Sequence, residues 1–281
     1  MSEFVAFILT HGRPDNIKTI PTLRRHGYTG PIHLIIDDQD QRAAEYFELD
    51  FPVHQFNKEQ LASQTDCGDN FGQMATITHA RNASYQIAQE IGAKYWIQLD
   101  DDYTRFEWRF YEFGNPQPIW NLDKVWASML TFYKQTPTTT IAMAQGGDYI
   151  GGKDNAGAKR QTLKRKAMNS FICSSDRPLK FVGTFNEDVN TYVTLGGRGV
   201  LFFTNPFANL VQTTTQSQKG GITELYLNYG TYVKAFTSVT MAPSCVRIST
   251  VGDKRPRIHH HILWNYAVPK IVSPSLKKSK K

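Results

Sequence analysis

The chain has 281 residues, 40% of them hydrophobic, which lets it bury a full core as one large domain or two small ones. No stretch approaches the roughly 20 apolar residues of a membrane span, and the opening MSEFVAFILTHGRPDN carries an acid and no basic leader, so a soluble cytoplasmic protein with no membrane partner is expected. The net charge of +7 gathers in Lys153, Lys159, Arg160, Lys164, Arg165 and Lys166 and in the tail Lys277, Lys278, Lys280 and Lys281, an asymmetry that favours a polyanionic partner.

In chain order, FVAFILT (4–10) reads as a buried strand, followed by the turn HGRPDN, a helix through IKTIPTLRRHG and a second apolar strand, PIHLIIDD (31–38). DFPVHQF (50–56) suggests a third strand. MATITHARNASYQIAQEIGAK (74–94) places Ile77, Ala80, Ser84, Ile87, Ala88 and Ile91 at helical spacing, and KYWIQL follows as a fourth strand. Strands alternating with helices, each strand apolar on both faces, predict an α/β fold with a mostly parallel sheet between helices. A helix over 122–135 and a strand over 138–145 come next. The Gly- and Lys-rich 146–166 has no periodicity and reads as a long loop. AMNSFICSS and GVLFFTN read as strands around TFNEDVNTYVTLGG, a short helix with Glu187 and Asp188 in its first turn. From 207 on the chain reads as β-like and polar, ending in RIHHHILWNYAVPKI. Cys67, Cys173 and Cys245 are too widely spaced for a CxxC metal site or a disulfide framework and read as buried thiols.

The acids carry the chemistry. Ligands of such sheets bind beyond the carboxyl ends of the strands, where Asp37-Asp38 and Asp100-Asp101-Asp102 both fall. Three adjacent carboxylates repel one another, and a cation removes that conflict. Alternation aims Asp100 and Asp102 the same way, and a D-x-D pair can hold Mg²⁺ or Mn²⁺ between two oxygens. A bare acidic run also caps the segment after a strand, so that reading stands beside the metal one. In RIHHHILW, alternation sets His259 and His261 on one face and His260 on the other, and an exposed polar strand would read the same way.

THGRPDN after the first strand, IIDD after the second, HARN in the helix before the fourth, WIQLDDDY and the later NED resemble glycosyltransferases of the GT-A fold over about residues 4–204. Within that fold they are similar to the phage DNA glycosyltransferases associated with the TET and JBP base hydroxylases, which attach sugars to hydroxymethylated pyrimidines. The resemblance implies a single GT-A domain with a Rossmann-like, mixed, mostly parallel sheet. Residues 1–120 would form the nucleotide-sugar half. Residues 121–281 would form the acceptor half, with the basic loop 146–166 and the tail 277–281.

The resemblance also implies a nucleotide-sugar donor, expected to be a UDP-sugar, bound by Thr10, His11, Gly12, Arg13, Asp37, Asp38, Arg81, Asp100 and Asp101. The divalent metal would sit on Asp100 and Asp102, completed by His261 first or His259. Asp188, or its neighbour Glu187, would take the proton of the acceptor hydroxyl; a helix N-terminus favours acids there without any catalytic role. The acceptor would be DNA carrying 5-hydroxymethylcytosine, inside the host cell for a phage-encoded enzyme. An acceptor base would have to flip out of the duplex, with the six cations of 153–166 on the phosphates. Phe106, Trp108, Phe110, Tyr111 and Phe113 would stack a base or sugar, although such clusters are more often core. Three other readings remain at this point: a GT-A enzyme acting on polysaccharide or protein, a metal-dependent nuclease, and a non-catalytic DNA-binding module.

Overall fold

The computed structural model describes residues 3–69, 72, 74–109, 115–145, 168–213, 230, 232–251 and 257–277. The basic cluster 153–166, Phe110, Tyr111, Phe113 and Lys278, Lys280 and Lys281 of the tail lie outside the described residues. The elements in order are β1 (Phe4–Leu9), α1 (Thr19–Arg25), β2 (Ile32–Asp37), α2 (Ala43–Tyr46), β3 (Val53–Phe56), α3 (Lys58–Gln64), α4 (Ile77–Glu90) and β4 (Tyr95–Asp100). Then follow β5 (Tyr103–Trp108), β6 (Gln117–Pro118), α5 (Leu122–Gln135), β7 (Thr140–Gln145), β8 (Phe171–Ser174), α6 (Glu187–Gly196) and β9 (Phe202–Gln212). The chain continues with α7 (Tyr232–Met241), β10 (Val246–Val251), β11 (Arg257–Ile262) and α8 (Trp264–Ala267).

Among the described residues, nine strands form one sheet in the order β3-β2-β1-β4-β8-β7-β9-β5-β6. Parallel pairs join β1 to β2 and β4, β2 to β3, and β7 to β9; antiparallel pairs involve β8 and β5. Only β8 and β5 therefore run against the rest. This is the mixed, mostly parallel sheet flanked by helices that the alternation of elements predicts. Side-chain alternation splits β1 between two cores: Ala6 and Ile8 pack with α1 and α5, whereas Val5, Phe7 and Leu9 pack with α4. A third core joins α6 to α7, β10, β11 and α8 through Val189, Val193, Cys245, Val246 and Ile262.

Two expectations change. The polar, β-like reading beyond 207 gives way at Tyr232–Met241 to a helix. Val233, Thr237, Val239 and Thr240 mimic a strand locally, but packing of Val233, Ala235, Thr237 and Ser238 into the interior overrides that propensity. The acidic run is also not a plain extension of β4. Asp101 and Asp102 form a turn, and β5 starts directly after them, four places away from β4 in the sheet. The long strand β9 makes this possible: Gln212 pairs with Tyr103, and the Thr213 amide donates to the Asp102 carbonyl at 3.2 Å.

The strand that carries the acids is anchored by Trp96, which is fully buried with Tyr85 edge-on at 4.9 Å and Phe7 at 6.1 Å. Trp96→Ala should cost about 3–5 kcal/mol of stability in urea unfolding; a loss under 1 kcal/mol would contradict this anchoring.

Candidate functional site

The carboxyl ends of β1, β2 and β4 open into a cleft of about 470 Å³ lined by Thr10, His11, Gly12, Arg13, Asp37, Lys58 and the three acids Asp100, Asp101 and Asp102. A larger cavity of about 830 Å³, walled by Trp108, Trp120, Phe132 and Phe203, has no acid in its lining and is separate from this chemistry. Trp108 therefore belongs to an apolar cavity, while Phe106 is buried core.

The loop after β1 is shaped by carboxylates. Thr10 Oγ1 donates to Asp101 Oδ2 at 2.8 Å, and Arg13 Nη1 donates to Asp101 Oδ1 at 3.0 Å. Gly12 adopts φ +69°, a conformation that suits glycine, and its amide donates to Asp40 Oδ2 at 2.6 Å. Tyr46 closes the back of the loop by accepting the Arg13 amide at 2.7 Å. Asp101 thus organises the loop from beneath.

Asp37 and Asp38 separate in role. Asp37 is buried and takes His11 Nδ1 at 2.6 Å and Lys58 Nζ at 3.1 Å. Burial pushes its carboxyl up, but His11 and Lys58 together hold it below the usual carboxylate range, and the same hydrogen bond raises His11. Asp38 is exposed and accepts the Lys58 amide at the start of α3 at 3.0 Å.

Arg81 sits where α4 crosses the strand ends, yet its side chain is only 1% exposed, so it acts from inside the protein rather than on the cleft wall. Its Nη2 donates to Asp100 Oδ1 at 3.0 Å and its Nε to Glu187 Oε1 at 2.8 Å. Phe171 and Phe181 lie 5.4 and 5.8 Å from the guanidinium. Burial opposes its charge, but Asp100 and Glu187 outweigh that and keep it protonated. Burial raises Asp100 to about 7; Arg81 opposes the rise, and the charges of Asp102, Glu187 and Asp101 add to it. Asp101 is raised for the same first reason.

The two acids at the start of α6 also divide. Glu187 is engaged by Arg81, whereas Asp188 is half-buried and pushed up to about 6, first by burial and then by the adjacent Glu187 charge. The preceding Asn186 is left-handed, at φ 51° and ψ 42°, an uncommon conformation for a side-chain-bearing residue. Its Nδ2 donates to the Lys234 carbonyl at 2.7 Å and to Ser238 Oγ at 2.9 Å, and lies 3.3 Å from His260 Nδ1. These contacts tie the acid-bearing turn to α7 and β11.

The three histidines divide by face as alternation sets them. His261 is exposed, His259 is half-buried with Nδ1 donating to the His260 carbonyl at 2.6 Å, and His260 is the buried one beside Asn186. Among the described residues no three His, Cys, Asp or Glu side chains converge as a metal cage, so His259 and His261 do not join Asp100 and Asp102 in one. The acids alone still fit a hard cation. Such ions bind through one or two carboxylates and take their other oxygens from phosphate and water, and Asp100 and Asp102 both line the cleft.

Lys58, Asp40, Tyr46, Asn186 and Thr213 belong to the site but were not singled out from the sequence. Thr213 Oγ1 donates to Asp102 Oδ2 at 2.6 Å. Only Asp40, one residue beyond the Asp37-Asp38 pair, carried a local signal.

A Rossmann-like sheet with a loop-lined acidic cleft at its strand ends has the layout of a GT-A-like glycosyltransferase. Residues 4–221 match the TET-Associated Glycosyltransferase family, well over half of the chain, and the chain belongs to that family. It is therefore a transferase enzyme, and the nuclease and binding-module readings fall away. No curated protein shows a significant match to it. No helix among the described residues is long and apolar enough to cross a membrane.

Breaking the Arg81 bridge leaves the buried Glu187 and the half-buried Asp100 without this partner, which costs about 3–5 kcal/mol. Arg81→Met should lose that much in urea unfolding, and Arg81→Lys should recover little, because a point charge on one stem does not serve two acids as a fork does. Near-wild-type stability of both variants would refute the bridge.

Proposed function

We propose that the cleft binds a nucleotide-sugar, with a UDP-sugar as the expected donor, and that the sugar passes to the hydroxyl of a 5-hydroxymethylated pyrimidine in DNA, with 5-hydroxymethylcytosine as the expected base. The observation that carries this reading is the link through Arg81 between the acidic end of β4 and the α6 turn bearing Asp188. One end suits a diphosphate donor and the other an acceptor hydroxyl. Membership of the TET-associated family supports a hydroxymethylated base as acceptor.

In this reading the Arg13 guanidinium, which lines the cleft, holds the donor phosphates, and Asp37 with Lys58 orients the nucleoside. Asp188 takes the proton of the incoming hydroxyl as its oxygen bonds to the anomeric carbon, and the bond to the nucleoside diphosphate breaks with its electron pair leaving on the phosphate. A Mn²⁺ or Mg²⁺ held by Asp100 and Asp102 would supply neutralisation of the departing diphosphate. Asp188 is suited to this task because its pKa near 6 makes it mostly ionised, yet appreciably basic, at neutral pH.

Mass spectrometry of nucleosides from 5-hydroxymethylcytosine DNA, treated with a panel of nucleotide-sugars and Mn²⁺, should show one sugar added and an equal amount of nucleoside diphosphate released. No gain with any donor would sink the proposal, and transfer to a glycan or protein instead would redirect the acceptor.

A base must be ionised to act, so kcat should rise as pH increases through about 6 and level above it. Asp188→Asn should lose about 10²–10⁴ in kcat with donor binding retained, measured by steady-state kinetics and calorimetry. A full rate in this variant would remove the base role from Asp188.

A further inference from the structure

Strand β5 carries a charged assembly that the reaction as described does not use. Alternation places Arg105, Glu107 and Arg109 on one face of the strand and its extension. Glu107 is only 2% exposed. Its Oε2 lies 3.1 Å from Arg105 Nε, while its Oε1 accepts from Arg109 Nε at 2.8 Å and from Asn209 Nδ2 at 2.9 Å. The two arginines remain open to solvent, with side chains 52% and 35% exposed.

A carboxylate buried in the sheet and shared by one exposed and one half-buried guanidinium holds both forks side by side. Each contact to Glu107 uses the Nε donor, one of five on a guanidinium, and the planar fork matches the oxygens of a phosphate. Two arginines against one carboxylate also leave the assembly net positive. Arg25, at the end of α1, brings a third cation to the strand, its Nη2 donating to the Thr104 carbonyl at 2.7 Å.

We propose that Arg105 and Arg109, aligned by Glu107, form a clamp for a phosphodiester of the acceptor DNA strand. Strand β5 leaves directly from the acidic turn, so Arg105 lies three residues beyond Asp102, about 10 Å along an extended chain. That offset suits a backbone that passes beside the cleft while one base enters it. The inference rests on DNA being the acceptor. The same chemistry would also suit the diphosphate of the donor, and the experiment separates the two sources.

Fluorescence anisotropy of a labelled duplex should be recorded over a salt series for the wild type, Arg105→Gln and Arg109→Gln, with and without 5-hydroxymethylcytosine in the duplex. Each variant is expected to bind both duplexes roughly three- to tenfold more weakly, and the slope of log K against log salt should shrink by about one per arginine. Calorimetric affinity for the nucleotide-sugar should stay unchanged, and Glu107→Gln should weaken DNA binding with the salt slope kept. Unchanged DNA affinity and slope in both arginine variants, or a loss confined to donor binding, would overturn the clamp while leaving the acceptor reading intact. A wild-type protein that binds no DNA at all would overturn both.

Discussion

The site depends on one buried cation. Arg81 projects from α4 into the interior and holds Asp100 at the end of β4 and Glu187 at the start of α6, two acids 87 positions apart in the chain. Without it, Asp100, which burial already raises, would lose the positive charge that opposes that rise. With it, β4 and α6 are locked at a fixed separation by a planar, two-pronged donor between aromatic rings. Because α4 also packs on β1 through Ala83, Ile87 and Ala88, the same helix sets the depth of the loop that follows β1.

Charge is distributed unevenly across the cleft, and the unevenness sorts its parts. On the β2 side, Asp37 is matched by His11 and Lys58 and stays ionised, giving a wall that is already satisfied. At the β4 turn the three acids have Arg81 and Arg13 against them, and burial still raises Asp100 and Asp101. Unmatched negative charge is therefore concentrated at the turn. This is where a cation with its bound phosphates would be drawn in, whereas the β2 wall has little electrostatic reason to attract one.

The parts of this arrangement that follow local rules were legible in the sequence. Apolar runs gave the first four strands, helical spacing placed α4 to within a few residues, and acids at strand ends marked the cleft. What was not legible depends on distant contacts. Nothing in HARN says that Arg81 faces inward to a glutamate 106 residues later. The turn at Asp101 and Asp102 was not legible either, because it depends on the pairing of β5 with the distant β9; Asp100 and Asp102 nevertheless line the same cleft. Similarly, β-branched residues hid α7, and alternation set the middle histidine apart from its neighbours but could not show its contact with Asn186. The family resemblance supplied the chemistry that periodicity could not.

Under the proposed assignment, the acceptor end has a different origin within the chain from the donor end. Apart from Gln212 the donor cleft is built from residues 9–102, all inside the family-matched span of 4–221. Asn186, which sets the turn carrying Asp188, is instead held by Lys234, Ser238 and His260, all beyond that span. A left-handed asparagine persists only where its surroundings overdetermine it. The direction of Asp188 is thereby tied to α7 and β11, so changes in these C-terminal elements can reset the acceptor geometry while the donor cleft stays as it is.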